Sequence, residues 1–289
     1  MGNDRNDMGK DRNDRADKTV LTTGANSGIG LATVLEVAKR GYRSVGTVRS
    51  EDKADVVAKA AADAGVSVET VLLDVTDAQG CERVVREVGT LYGLVNNAGY
   101  GQVGAVEDVD DDEAHHLMET MVFAPMRLAR LALPGMRAHG GGRIVNVSSI
   151  AGRTTAPFAG WYQAAKHALE ALSDALRIEE AGSGVKVVLV EPGGFKTGIW
   201  EEFERDIAKR ASSGSRFTDA YHRSLRGQRL LERMMGNPEQ CARVIAAAID
   251  SRSPRARYLI GMDAQAMNLA DSLTPTFVKD RVIRLGLGI

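Results

Sequence analysis

The sequence predicts an α/β fold, a doubly wound parallel sheet with helices on both faces, built as a single domain. Three observations predict it. Short apolar runs alternate with longer amphipathic stretches from Lys18 to Glu191, and repeated βα units bury a parallel sheet between two helical layers. The glycine-rich segment Thr23-Gly24-Ala25-Asn26-Ser27-Gly28-Ile29-Gly30 lies between the first apolar run and the first amphipathic stretch, so strand, tight turn and helix follow in that order. Finally, 289 residues that are 44% hydrophobic can bury one sizeable core.

The elements are read as follows. Residues 18–22 form the first strand and 29–40 the first helix, amphipathic from Leu31 to Arg40. A strand at 43–48, a helix near 51–64, a strand at 67–73 and a helix near 77–90 continue the alternation. Next come a strand at 93–96, a long helix over about 111–139, a strand at 142–148, a helix around 160–181 and a strand at 186–191. Residues 1–17 precede this series as a polar tail with repeated Asn-Asp-Arg elements and almost no apolar residues, a composition that predicts disorder. The domain therefore spans 18–289. From about 195 to 238 the chain is polar and interrupted, with Ser212-Ser213-Gly214-Ser215 as a hinge, and is read as helices flanking a mobile lid.

Tyr162 and Lys166 stand four residues apart on one predicted helix face, and Ser149 ends the apolar run before it. An ammonium beside a phenol favours phenolate, moving a group whose ordinary pKa is about 10 toward neutrality. The Ser149 hydroxyl would hold a carbonyl or alkoxide oxygen. The glycine turn would let a backbone approach a pyrophosphate, with the helix N-terminus offering its N–H groups.

Together these motifs resemble the short-chain dehydrogenase/reductase (SDR) family, over about residues 18–200. Gly24, Gly28 and Gly30, with Asn26, Ser27 and Ile29 between and beside them, match its cofactor turn, and Asp74-Val75 its adenine contact. Asn96-Asn97-Ala98-Gly99 matches the segment that steadies the central sheet. Ser149, Tyr162 and Lys166 match its catalytic residues, and Glu191-Pro192-Gly193-Gly194 with Thr197 matches the turn that closes over the nicotinamide. The resemblance implies a Rossmann-type fold and a nicotinamide cofactor held by Asn97, Ala98, Gly99, Tyr162, Lys166, Pro192, Gly193 and Thr197 as well. It implies hydride transfer to a carbonyl while Tyr162 protonates the oxygen. The segment Gly261-Met262-Asp263-Ala264-Gln265 and the tail beyond it resemble the hydroxysteroid and retinol dehydrogenase-like branch. Family members usually associate as homodimers or homotetramers through the two long helices.

Cofactor choice is read at the end of the second strand, where a carboxylate would bind a ribose 2′-hydroxyl and select NAD. Val48 occupies that place and Arg49 follows it. A guanidinium there pairs with a 2′-phosphate, with Thr47 and Ser50 as further donors, so NADP(H) is preferred over NAD(H). The family's usual asparagine, which helps hold a water chain to the catalytic lysine, is replaced by Met121, a weak acceptor with no donor. Three readings remain: an ordinary reductase with the chain held otherwise, an SDR-fold enzyme of non-redox chemistry (dehydration, cyclisation or epimerisation), or a non-catalytic NADP-binding protein. Phe158, Trp161, Phe195, Trp200 and Phe203 are read as lining an apolar cleft for a small-molecule substrate.

A formal net charge of −1 with no basic block gives no footprint for nucleic acid or a membrane surface. The absence of a long apolar run predicts a cytoplasmic protein. Cys81 and Cys241 are isolated, and the five histidines show no metal-binding spacing, so no metal is expected.

Overall fold

A computed structural model describes residues 15–231 and 235–289, with the side chains of 227–231 excepted. Seven strands form one parallel sheet in the order β3-β2-β1-β4-β5-β6-β7. They are β1 (Thr19–Thr22), β2 (Arg43–Val48), β3 (Glu69–Leu72), β4 (Leu91–Asn96), β5 (Gly142–Val147), β6 (Val185–Pro192) and β7 (Arg257–Ile260). The connecting helices are α1 (Gly28–Lys39), α2 (Glu51–Asp63), α3 (Ala78–Val88), α4 (Asp111–Met118), α5 (Ala124–Ala138) and α6 (Gly160–Glu179). Beyond β6 come α7 (Ile199–Ala211), α8 (Thr218–Leu231), α9 (Pro238–Asp250), α10 (Met262–Leu273) and α11 (Thr276–Leu287).

The central strands are apolar on both faces because helices cover both. Leu21, Leu94, Ile144 and Val187 pack with Val84 and Val88 of α3 and Leu128, Ala132 and Met136 of α5. Their neighbours Val20, Val95, Val145 and Val188 point the other way, onto Val37 of α1 and Ile245, Ala246 and Ile249 of α9. This period-2 division places two cores on opposite sides of one sheet. The strand order reverses between β1 and β4, and a crevice opens beyond the carboxyl ends of the strands there.

The predicted long helix is in fact three pieces. Between α4 and α5, Glu119–Phe123 takes a π-helical turn, which keeps the apolar face while adding one residue to the turn. Residues 1–14 of the expected disordered tail lie outside the described residues. Arg15, also assigned to that tail, instead reaches Asp250 at 3.7 Å and lies over the Tyr42 ring at 5.7 Å.

α7 and α8 fall in the segment read from the sequence as a lid, and they pack against the chain after β4. Val103, Ala105, Phe158, Ile207, Ala220 and Tyr221 make a small core of their own. Glu202, Asp206 and Arg210 follow one another at four-residue intervals on one face of α7. Glu202 accepts from Gly101 N–H at 2.7 Å and Asp206 from Val103 N–H at 3.1 Å. Arg210 donates to Val103 O at 2.7 Å, to Asp108 O, and to Glu113 at 2.6 Å. Within the Ser212–Ser215 stretch, Ser215 donates to Asp108 at 2.6 Å. Phe158 holds a left-handed φ of 68°, alone among the described non-glycine residues, and its ring centroid lies 4.7 Å from that of Tyr221.

Candidate active site

The turn after β1 is built for a close approach. Gly24 and Gly28 take φ of 67° and 51°, values that glycine adopts without strain. A Cβ on Gly30 would run into the Gly24 carbonyl and the Asn97 amide, so the third glycine lets α1 start directly against the turn. Thr23 and Asn97 lock this turn to β4: the Thr23 hydroxyl accepts from Asn97 and Ala98 N–H at 3.0 and 2.9 Å. Asn97 Nδ2 donates to the carbonyls of Thr23 and Gly24 at 2.9 and 3.2 Å.

A cleft of about 1220 Å³ runs from this turn across the carboxyl ends of the strands. Gly24, Asn26, Ser27, Gly28, Ile29 and Arg49 line one part of it, with Asp74, Val75, Asn97, Ala98 and Gly99. Ser149, Tyr162, Lys166, Pro192, Gly193 and Thr197 line the other. Gly30 lies outside the lining, its role being in the packing beneath, and so does Ser50, which was expected as a further donor. The Thr47 hydroxyl accepts from Gly24 N–H at 3.3 Å, so it steadies the turn. Lys53, one turn into α2 and unforeseen in the sequence, lines the same end as Arg49, whereas Glu51 does not.

At the other end, Ser149 Oγ accepts from Ala151 N–H at 3.1 Å and donates to Pro192 O at 3.5 Å, and it lines the cleft together with Tyr162. Tyr162 and Lys166 are both buried, one turn apart on α6. Burial pushes the Tyr162 phenol up to about 12, against a smaller opposing effect of Ser149. It also pushes Lys166 down to about 8, opposed by the charge of Glu170. The expected lowering of the phenol by Lys166 is therefore absent in this geometry. Lys166 Nζ lies 5.8 Å from the Tyr162 ring centroid and donates to Val147 O at 3.0 Å, so desolvation outweighs its field.

Aromatic side chains wall the space before the phenol. Phe203 meets Tyr162 edge-on at 5.8 Å and Trp200 at 5.5 Å. Phe195, Trp200, Phe203 and also Tyr100 line the cleft, but Phe158 and Trp161 do not. Phe158 packs into the lid core, and Trp161 packs against the cluster of Leu117, Met121, Val122, Tyr162 and Ala165. Asp263 was also missed as a site residue. It accepts from Gly194 N–H at 2.6 Å and so fixes the turn after β6 from a position 69 residues downstream.

The short chain dehydrogenase family model matches residues 18–208. The chain belongs to the short-chain dehydrogenase family. It is 33% identical over 273 residues to the uncharacterized oxidoreductase YusZ of Bacillus subtilis, covering 92% of this chain and 97% of that one. It is 32% identical over 288 residues to retinol dehydrogenase 5 of Mus musculus, covering 93% and 88%. Among solved structures, a variant of actinorhodin polyketide ketoreductase with NADPH superposes with a TM-score of 0.73 at 27% identity, over 88% of this chain and 98% of that one. This short-chain dehydrogenase is thus an oxidoreductase that uses NAD(P). No helix among its described residues is long and apolar enough to cross a membrane.

The residues present fit a dinucleotide. Two left-handed glycines and the Gly30 packing leave a cradle that side chains would fill. The N-terminus of α1 opens into that cradle without a side-chain cap, which leaves its N–H groups for a phosphate.

Proposed function

We propose that this short-chain dehydrogenase is an NADP(H)-dependent reductase of a ketone or aldehyde on a fairly apolar small molecule, or oxidises the corresponding alcohol. The observation that carries it is the buried phenol of Tyr162, set between Ser149, Lys166 and an aromatic wall in the same cleft as the glycine cradle. Bound nicotinamide would supply the hydride. With its pKa near 12, Tyr162 keeps its proton through the neutral range and is the acid that gives it to the carbonyl oxygen. Ser149 Oγ holds that oxygen as charge develops on it. Lys166 supplies positive charge behind the phenol once the proton has left.

Arg49 and Lys53 at one end of the cleft supply two cations for a 2′-phosphate, which supports NADP(H). The relatives act on apolar molecules by name, a retinol in one case and a polyketide in another, in keeping with Phe195, Trp200 and Phe203 here. Association as a homodimer or homotetramer is part of the proposal: Phe123, Leu172 and Ile178 stand 55%, 42% and 65% exposed on the two long helical segments. Light scattering on a sizing column reads the mass.

Met121 favours one competing reading. Its side chain is buried against Tyr162 and Ala165, where the family's asparagine would bring polarity, and non-redox chemistry on the same fold would consume no net proton from solvent. Purified protein is incubated with NADPH and a panel of ketones and aldehydes, following absorbance at 340 nm. NADPH oxidation that falls at least about 100-fold in Tyr162→Phe supports the reductase. Tight NADPH binding without oxidation across the panel overturns it in favour of the non-redox reading.

A further inference from the structure

On the side of Met121, Lys166 has apolar neighbours. Leu117, Met121, Val122 and Ala165 close around the Tyr162 ring, and the hydroxyl of Thr120, the residue before Met121, is turned back onto His116 O at 2.9 Å. On its other side the surroundings are strongly polar. Tyr162, Lys166, Glu170 and Asp174 succeed one another at four-residue intervals along α6, and such residues are stacked neighbours on one helix face. The row runs from the buried phenol to the protein surface: Glu170 is 9% exposed at its side chain, Asp174 35%.

Glu170 has one satisfied oxygen and one unsatisfied. Oε2 meets the Arg257 guanidinium at 3.2 Å. Oε1 is buried with no well-formed hydrogen bond, as is the hydroxyl of Ser148 beside it. Room for the pair comes from Gly152, where a Cβ would stand 2.8 Å from Ser148 Oγ and 2.9 Å from Glu170 Cγ. The charged groups around this carboxyl are Lys166 and Asp174 on its own helix, Glu191 on β6, Arg257 on β7, and Arg153, whose Nε lies 2.8 Å from Glu191. Burial raises Glu170 above the usual carboxylate range, and the charge of Glu191 adds to the rise, so its proton is exchangeable near neutrality.

We propose that Glu170 is the proton-relay residue of this enzyme, passing protons between Lys166 and solvent along the Tyr162–Lys166–Glu170–Asp174 face of α6 and so replacing the route that Met121 closes. This rests on the reductase reading above. When Tyr162 gives its proton to the carbonyl oxygen, the phenolate recovers one from the Lys166 ammonium across a bridging water or hydroxyl. The neutral amine, held at Val147 O, takes the carboxyl proton of Glu170 through a second bridging water, and the carboxylate regains one from water at the Asp174 end. Each turnover consumes one solvent proton, and no electron moves along the row. Oxidation of an alcohol runs it in reverse.

The test is Glu170→Gln, which keeps the shape of the side chain and an acceptor for Arg257 but cannot relay a proton. The expected result is a fall in kcat of at least about 10-fold, a larger solvent isotope effect on kcat, a pH profile stripped of its limb near neutrality, and NADPH affinity unchanged by fluorescence titration. Independently of turnover, 15N-lysine NMR of the cofactor-free protein, with Lys166 assigned through Lys166→Met, shows the Lys166 midpoint moving down once the carboxylate is gone. Wild-type turnover with kcat, pH profile and isotope effect all unchanged in Glu170→Gln overturns the relay and leaves the reductase standing. No turnover by wild type overturns the reductase reading itself. Should Glu170→Gln fail to fold, Glu170→Asp, with the carboxyl withdrawn by one methylene, is measured instead: slower turnover with a raised isotope effect supports the relay, and wild-type values overturn it.

Discussion

Replacing Lys166 by methionine should stabilise the cofactor-free protein at neutral pH while destroying the site, and the effect should change sign at high pH. Burial lowers Lys166 from 10.5 to about 8, which at about 1.4 kcal/mol per pH unit makes the buried ammonium cost roughly 3 kcal/mol. The folded value lies below the unfolded one, so that cost is fully present below pH 8 and is relieved as pH rises to 10.5. Against it stands the bond to Val147 O, whose loss leaves a carbonyl without its donor and costs about 1 kcal/mol. Lys166→Met is therefore expected to be about 2 kcal/mol more stable than wild type at pH 7 and about 1 kcal/mol less stable near pH 10.5. Urea unfolding of both proteins at the two pH values measures this. A variant less stable at pH 7, or a difference that does not vary with pH, would refute burial as the cause of the shift.

Two further substitutions probe the ends of the cleft. Arg49→Ala is expected to weaken NADPH binding by about 10- to 100-fold while leaving NADH nearly unaffected, read by fluorescence titration of each. Arg210→Met removes a side chain that is 7% exposed and bonded to Val103 O, Asp108 O and Glu113; chemical denaturation should show a loss of about 2–3 kcal/mol, and limited proteolysis should cut sooner between α7 and the loop it grips.

The alternation of strand and helix to β6 was legible because each unit carries its own period, and the glycine turn because its chemistry is local. Tyr162 and Lys166 were legible because four residues on a helix fix their relation before any tertiary contact exists. The π turn at Glu119–Phe123 was hidden, since an added residue within a continuous apolar stretch leaves the pattern of burial unchanged. β7 is four residues long and half-buried throughout, too short to stand out from the turn-rich stretch before it. Phe158 and Trp161 misled because an aromatic side chain near a site serves equally as wall or as packing, and only the backbone, left-handed at Phe158, decides which. Asp263 and Arg257 act across 69 and 87 residues, and no local pattern announces such partners. The direction of the Tyr162 shift was misjudged for a related reason: charge proximity can be read from spacing, whereas the depth of burial that outweighs it belongs to the folded molecule.

The clasp between α7 and residues 101–108 bears on how this cleft can change over time. Glu202, Asp206 and Arg210 hold main-chain N–H and C=O groups there, and every amino acid but proline offers both. Side chains along that loop can be exchanged without removing these bonds, except at Gly101 and Gly104, where a Cβ would run into Phe203 and Arg210, so the chamber can be reshaped between those two fixed points while its roof stays latched.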